Sequence, residues 1–199
     1  MQEQAAQAPY HHGALRAALL EAAERSLRER GAAQLSLRDL AREVGVSHAA
    51  PRRHFPERQD LLDALADAGF RRLGERIRQA IAEDDHDFAT RVRRATSAFA
   101  VFATEHPALL ELMNATKHRA QQAAVTQSAE RAFAPLVELI HEGQDKRILR
   151  QAPHEAIGLI LYATVNGLAT LVNNGLVDAS RLGELTDDAV DQFLQGNAP

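Results

Sequence analysis

Ser36-Leu37-Arg38-Asp39-Leu40-Ala41-Arg42-Glu43-Val44-Gly45-Val46-Ser47-His48-Ala49-Ala50-Pro51-Arg52-Arg53-His54-Phe55-Pro56 is the stretch on which the reading of this chain turns. Leu37, Leu40, Ala41 and Val44 recur at i, i+3, i+4 and i+7, the apolar stripe of a helix of about two turns. Ser36 with Asp39 makes a capping-box-like start, in which hydroxyl and carboxylate satisfy free N–H groups. Gly45-Val46-Ser47 breaks the pattern. A second short helix is predicted over residues 48–55, with Ser47 as its N-cap and Pro56 as its stop. Pro51, its fourth residue, forfeits an early backbone bond but lies near enough to the start to be tolerated. Ala41, Gly45 and Val46 have the spacing of a helix-turn-helix: a small residue where the helices cross, positive φ at the turn, and an apolar plug. In such a unit the second short helix enters the major groove of DNA by its N-terminal end. The same spacing also serves a purely structural αα-hairpin.

Outward from this stretch the chain reads as helical throughout, with no period-2 strand and no repeat. Before it, Leu15, Leu19, Ala22, Ala23 and Leu27 mark a longer helix that ends at Gly31. After Pro56 longer helices follow, along Leu61, Leu65, Phe70, Leu73 and Ile77, then along Val92, Ala95, Phe99 and Phe102. A short segment over residues 108–114 comes next, then a helix through Phe133, Leu136, Val137 and Ile140. A strongly apolar helix covers residues 156–174, and a last short one residues 187–194. The expectation is an all-α protein of about nine helices: a tail over residues 1–9, a three-helix helix-turn-helix domain over 10–58, and a helical ligand-binding and dimerisation domain over 59–199.

Composition narrows the function. The chain has 199 residues, 45% hydrophobic and 25% charged, and no cysteine. Thiolate metal sites, disulfides and cysteine nucleophiles are therefore excluded. No signal-like start and no apolar run of about 20 residues is apparent, so a cytoplasmic protein with no membrane partner is expected. The net charge of −4 is unevenly divided. Residues 10–58 hold nine arginines, no lysine and six acidic residues, a net of +3, while residues 59–199 hold 14 basic and 20 acidic residues, a net of −6. That asymmetry suits a polyanion at one end and something else at the other.

Residues 36–47, with Arg53-His54-Phe55-Pro56-Glu57-Arg58 and Leu61-Leu62, resemble the N-terminal domain of TetR-family transcription regulators. The resemblance covers about the first third of the chain. It implies a helical ligand-binding and dimerisation domain in the remainder, which fits the length. Tyr10-His11-His12-Gly13, His106-Pro107-Ala108-Leu109-Leu110 and Asn166-Gly167 are similar to a subgroup named for a Trp-His-Gly motif, although Tyr162 and Asn166 stand where its Trp and His belong. The family usually has an aromatic where this chain has Arg52.

Arg53, mid-helix with no apolar neighbour to cover, is the leading candidate for a base-edge contact, followed by His48 and by Ala50 against a thymine methyl. Ser47, Arg52, His54, Arg58 and Ser36 read as phosphate contacts, with Ser36 equally readable as a simple cap and Arg52 as a base reader. For a small-molecule effector, Phe99, Phe102, Leu110, Met113 and Phe133 supply apolar surface, and Thr96, Asn114, Tyr162 and Asn166 a sparse polar complement. That set suits a neutral or largely apolar effector. A metal effector on His106 and His118 is the weaker alternative, and no cofactor is implied. One recognition helix makes too few contacts for operator affinity, so a homodimer on palindromic double-stranded DNA is expected, acting as a repressor. The surplus apolar surface of residues 156–174, together with the last helix, is the natural dimer interface.

The sequence bears on two other classes. Glu83/His86 and Glu138/His141 have the Glu-x-x-His spacing of di-metal bundles, but the first lies in an acidic run and Glu138 falls about 150° from its helix's apolar stripe, so catalysis is not expected. A helical binding module without DNA has no need of an arginine-only basic segment on paired short helices.

Overall fold

The computed structural model describes residues 12–82, 87–117 and 123–199. These form eight α-helices and three single-turn 3-10 segments, with no strand among the described residues: α1 His12–Arg30, α2 Leu37–Val44, α3 Arg58–Ile81, α4 Phe88–Glu105, α5 Pro107–Lys117, α6 Ala123–Asp145, α7 His154–Asn173 and α8 Leu182–Gly196. Two compact units divide between Leu65 and Ala66, inside α3.

In the N-terminal unit, α1 contributes Leu19, Ala22, Ala23 and Leu27 to a core completed by Leu35, Leu40, Ala41, Phe55, Leu61, Leu62 and Leu65. Arg25 of α1 and Glu43 of α2 form an ion pair at 2.9 Å. The Arg16 guanidinium lies 5.3 Å from the centre of the Phe55 ring, a cation–π contact.

The C-terminal unit is built on α4, which packs against α7 and α8 and also meets α5 and α6. Its core side is Val92, Ala95, Thr96, Phe99, Ala100, Phe102 and Ala103. Two elements differ from their sequence expectation. α8 begins at Leu182 instead of residue 187, because Asp178 caps the turn before it, accepting from the Ser180 N–H at 2.8 Å. α6 buries Val125, Ser128, Ala129, Ala132, Pro135 and Leu139, about one residue around the helix from the expected face; Ile140 is buried but Phe133, Leu136 and Val137 are only half-buried. The cause is small side chains that hydrophobicity undervalues. A Cβ on Gly74 of α3 would stand 2.8 Å from the Cα of Ala132, so the two helices meet at a distance that only glycine and alanine permit.

α7 departs from the expectation that no stretch matches a bilayer. An 18-residue window of it has a mean hydropathy of 1.5, enough by length and composition alone to cross a membrane. Ile157, Leu161, Val165 and Ala169 are buried, whereas Leu159 and Ile160 are 64% and 60% exposed.

Candidate nucleic-acid interface and effector site

α2 starts where the sequence places it. The Ser36 hydroxyl accepts from the Asp39 N–H at 3.5 Å, while the Asp39 carboxylate turns to Arg42 at 2.9 Å. The helix ends at Gly45 in the left-handed region, φ 77°. There the Val46 N–H reaches back to the Ala41 carbonyl at 2.9 Å and the Gly45 N–H to that of Arg42 at 3.3 Å, a Schellman closure that a residue with a Cβ adopts only under strain.

The segment beyond differs from the regular helix expected over residues 48–55. Residues 48–50 form a turn and Pro51–Arg53 a single 3-10 turn. Pro51 explains it. With Ser47 as cap, residue 51 would donate the first i→i−4 bond, and proline has no N–H to give. The Ala50 N–H takes the Ser47 carbonyl instead at 3.0 Å, and the His54 N–H that of Pro51 at 2.9 Å, both spaced as in a 3-10 helix. The ninth expected helix is therefore this short turn, anchored by the buried Pro51 and Phe55.

Ser47, His48, Arg52 and Arg53 are exposed, and Ala50 and His54 are half-buried. Arg58 is a correction. Its Nε donates to the Leu35 carbonyl at 2.7 Å and its Nη2 to the Ala32 carbonyl, so this guanidinium braces the loop ahead of α2 and is not a free phosphate clamp. Arg38 is exposed on α2 one helical step after Leu37. His11 lies outside the described residues.

The effector candidates divide. Phe99, Phe133 and Tyr162 come together from α4, α6 and α7, with ring centres 5.2 Å apart for Phe99–Tyr162, 5.7 Å for Phe133–Tyr162 and 6.1 Å for Phe99–Phe133. The Tyr162 hydroxyl donates to the Asn114 Oδ1 at 3.0 Å. Burial raises the Tyr162 pKa above its ordinary value, and the Asn114 hydrogen bond opposes that. Thr96, 3% exposed, has a buried Oγ1 without a partner among the described residues. Leu110 and Met113 are core residues and Asn166 is half-buried. Phe102 faces elsewhere, its ring 5.0 Å from that of His106 and 5.9 Å from the Arg76 guanidinium. An open groove of about 590 Å³ lies on the other side of α4, lined by Arg76, Gln79, Arg93, Arg94, Ser97 and Asp187 among others.

Among the described residues no group of three His or acidic residues is placed to hold a metal ion. Glu138 is exposed, as its helical phase predicts. Glu83, His86 and His118 lie outside the described residues.

A DNA-binding unit of this geometry joined to a helical unit is matched by family models at both ends. Residues 19–65 match the bacterial regulatory proteins of the tetR family, and residues 92–195 the tetracyclin repressor-like C-terminal domain. The chain belongs to the TetR family of DNA-binding transcription regulators. The family is one of transcription regulators and not of enzymes.

A structure from Rhodococcus sp. RHA1, described as that of a protein with unknown function, is 39% identical with a TM-score of 0.87, over 97% of this chain and 100% of that one. A TetR family transcription regulator from Marinobacter aquaeolei VT8 shares the fold at 18% identity and a TM-score of 0.76, over 92% and 95% of the two chains. The nucleoid occlusion factor SlmA of Marinomonas sp. (strain MWYL1) is 28% identical over 141 residues, 69% of this chain and 71% of the relative. The match spans less than half the length, 42%, of the Aliivibrio fischeri protein of the same name.

Proposed function

We propose that the protein is a homodimeric repressor that binds a palindromic operator through residues 47–54 and is released by a small, largely apolar effector at the Phe99–Phe133–Tyr162 cluster. The observation that carries the DNA-binding part is the turn at Pro51–Arg53, where two adjacent exposed arginines stand on a buried proline. A turn fixed from beneath presents cations with little further ordering to undergo on binding. Ser47, His48 and Arg53 face the bases or their backbone in this reading, with Arg52 and His54 alongside, Ala50 against a thymine methyl and Ser36 on a phosphate.

Dimerisation is supported by α7. Ala156, Leu159, Ile160, Ala163, Thr164, Gly167 and Leu171 share one helical face, and five of them, Ala156, Leu159, Ile160, Ala163 and Leu171, are exposed apolar residues. A twofold copy of the same face would bury it, with small Ala163 and Gly167 letting the helices approach. α8 contributes less than expected, since Leu182, Thr186, Ala189, Val190 and Phe193 are already used inside the protomer. The same argument favours a protein partner over a membrane for α7.

The aromatic cluster supports an effector without formal charge: three rings, one hydroxyl, one amide and the unpartnered Thr96 hydroxyl offer no counter-ion. A cytoplasmic location accompanies this reading. The experiment is selection of bound fragments from random duplexes, followed by titration at several salt concentrations. Recovery of a twofold-symmetric site whose affinity falls steeply with salt supports the proposal. Binding that is sequence-independent, or absent, removes it. A second reading follows from the 28% identity to a nucleoid occlusion factor: sites spread over the whole chromosome, instead of clustered at promoters, would favour it.

A further inference from the structure

We propose that the groove bounded by α3, α4 and α8 is a binding site for a small organic anion, a carboxylate or phosphate on an apolar body, held by Arg76, Arg93 and Arg94. Its volume, about 590 Å³, lies within the usual range for small-molecule sites. The lining combines three guanidinium groups with the Gln79 amide and the Ser97 hydroxyl, over a floor of Ala80, Ala98 and Val101; Asp187 is its one carboxylate among the described residues. Guanidinium forks match the planar oxygens of carboxylate and phosphate, and the apolar floor asks for a body that inorganic ions lack.

Two of the three arginines are held in reserve by weak partners. Arg76 pairs with Glu105 at 2.6 Å, and Arg93 pairs with Asp191 of α8. All four side chains are between 34% and 48% exposed, so each pair is a surface ion pair of little net strength. An incoming anion that meets two or three guanidinium groups at once outcompetes such single contacts. Taking Arg93 from Asp191 loosens a tie between α4 and α8, and taking Arg76 from Glu105 loosens one between α3 and α4. The groove residues Arg93, Arg94, Ser97 and Val101 lie on the opposite side of α4 from Thr96 and Phe99, so this site is separate from the aromatic cluster and goes beyond the proposed apolar effector.

The test is calorimetric titration of the full-length protein, without DNA, by benzoate and by phenyl phosphate, with benzyl alcohol as the neutral counterpart. Both anions are expected to bind, and the alcohol about tenfold or more weakly. Arg94→Gln should weaken anion binding by roughly tenfold. Asp191→Asn frees Arg93 and should strengthen it several-fold, a gain that misfolding does not produce. Either order of affinity between the two anions supports the site and tells which headgroup suits it. No anion binding, equal binding of benzyl alcohol, indifference to Arg94→Gln or a loss with Asp191→Asn overturns it. So does anion binding abolished by Phe133→Ala but untouched by Arg94→Gln, which would place the anion in the aromatic cluster.

Discussion

Arg58 donates from Nε to the backbone carbonyl of Leu35, 2.7 Å away and 23 residues earlier in the chain. With a second bond to the Ala32 carbonyl it ties the first residue of α3 to the loop that leads into the Ser36 cap. The position of α2 therefore depends on a cation that belongs to another helix.

Arg58→Ala should lower the stability of the N-terminal unit by about 1.5–3 kcal/mol, the range for hydrogen bonds to a charged group. Thermal unfolding followed by helical circular dichroism checks it. The salt slope of DNA binding should stay as in the parent protein. A slope reduced by roughly one per protomer, with stability unchanged, would return Arg58 to the phosphate backbone.

Arg53 and Arg52 are adjacent and both exposed on one 3-10 turn, and the proposed roles separate them. Arg53→Ala should cost about 1–3 kcal/mol on the selected operator and far less on scrambled DNA, because a base-edge contact depends on sequence. Arg52→Ala should weaken both duplexes by similar factors if it holds a phosphate. Titration of each variant against both duplexes decides the assignment. Equal losses for Arg53→Ala would pass the reading role to His48 and Arg52.

The helices of this chain are legible where side-chain size and polarity agree. Ser36, Gly45 and the Leu40–Ala41 pair mark α2 to the residue, because a cap, a left-handed stop and an apolar stripe are local properties. The turn at Pro51–Arg53 departs from the regular helix predicted over residues 48–55 for a local reason too. Proline near a helix start is tolerated at the first position, but at the fourth it removes the bond that sets the winding. α6 turns a face about one residue from the predicted one because Ala129, Ala132 and Ser128 form the face that packs closest, and closeness of approach is a property of the pair of helices. The bond from Arg58 to Leu35 joins residues remote in sequence, and no local pattern announces it. Phe99, Phe133 and Tyr162 are legible as members of one candidate set, but which of that set's rings touch is decided by the packing of three helices.

Leu159 and Ile160 are the most exposed large apolar side chains of α7. If they form the centre of a twofold interface, Ile160→Glu places two carboxylates against each other in an apolar contact, and both lose their water. Sedimentation at micromolar concentration should then show a monomer where the parent chain is a dimer, with helix content unchanged. Operator affinity should fall with it, since a single turn has few contacts. A variant that stays dimeric moves the interface off this face.

Glu142 gives the acid limb of stability a named contributor. Its carboxylate accepts from Lys146 Nζ, just past the end of α6, at 2.8 Å, and from Arg91 Nη1 of α4 at 2.9 and 2.8 Å. The Lys146 hydrogen bond is the largest influence and Arg91 adds to it; burial opposes them, and the net effect holds the pKa below the ordinary 4.5. The ionised form is thus the one the fold prefers. In the unfolded chain Glu142 takes up its proton at higher pH than in the fold, so its contribution is complete above pH 4.5, shrinks as pH falls below that, and is gone once the folded group is protonated. Glu142→Gln should therefore destabilise the protein near neutrality, by about 1–2 kcal/mol, because it leaves Arg91 half-sheltered with one charge partner fewer. The gap between variant and parent should close as pH drops through the lowered value. Asp87 and Asp178, whose carboxyls are held low chiefly by hydrogen bonds from the Thr90 and Ser180 side chains, remain in both proteins, so the variant keeps part of its acid limb. Urea unfolding at a series of pH values between 3 and 7 reads the difference directly, and a gap that stays constant across that range would show that the Arg91–Glu142–Lys146 group does not govern the acid response.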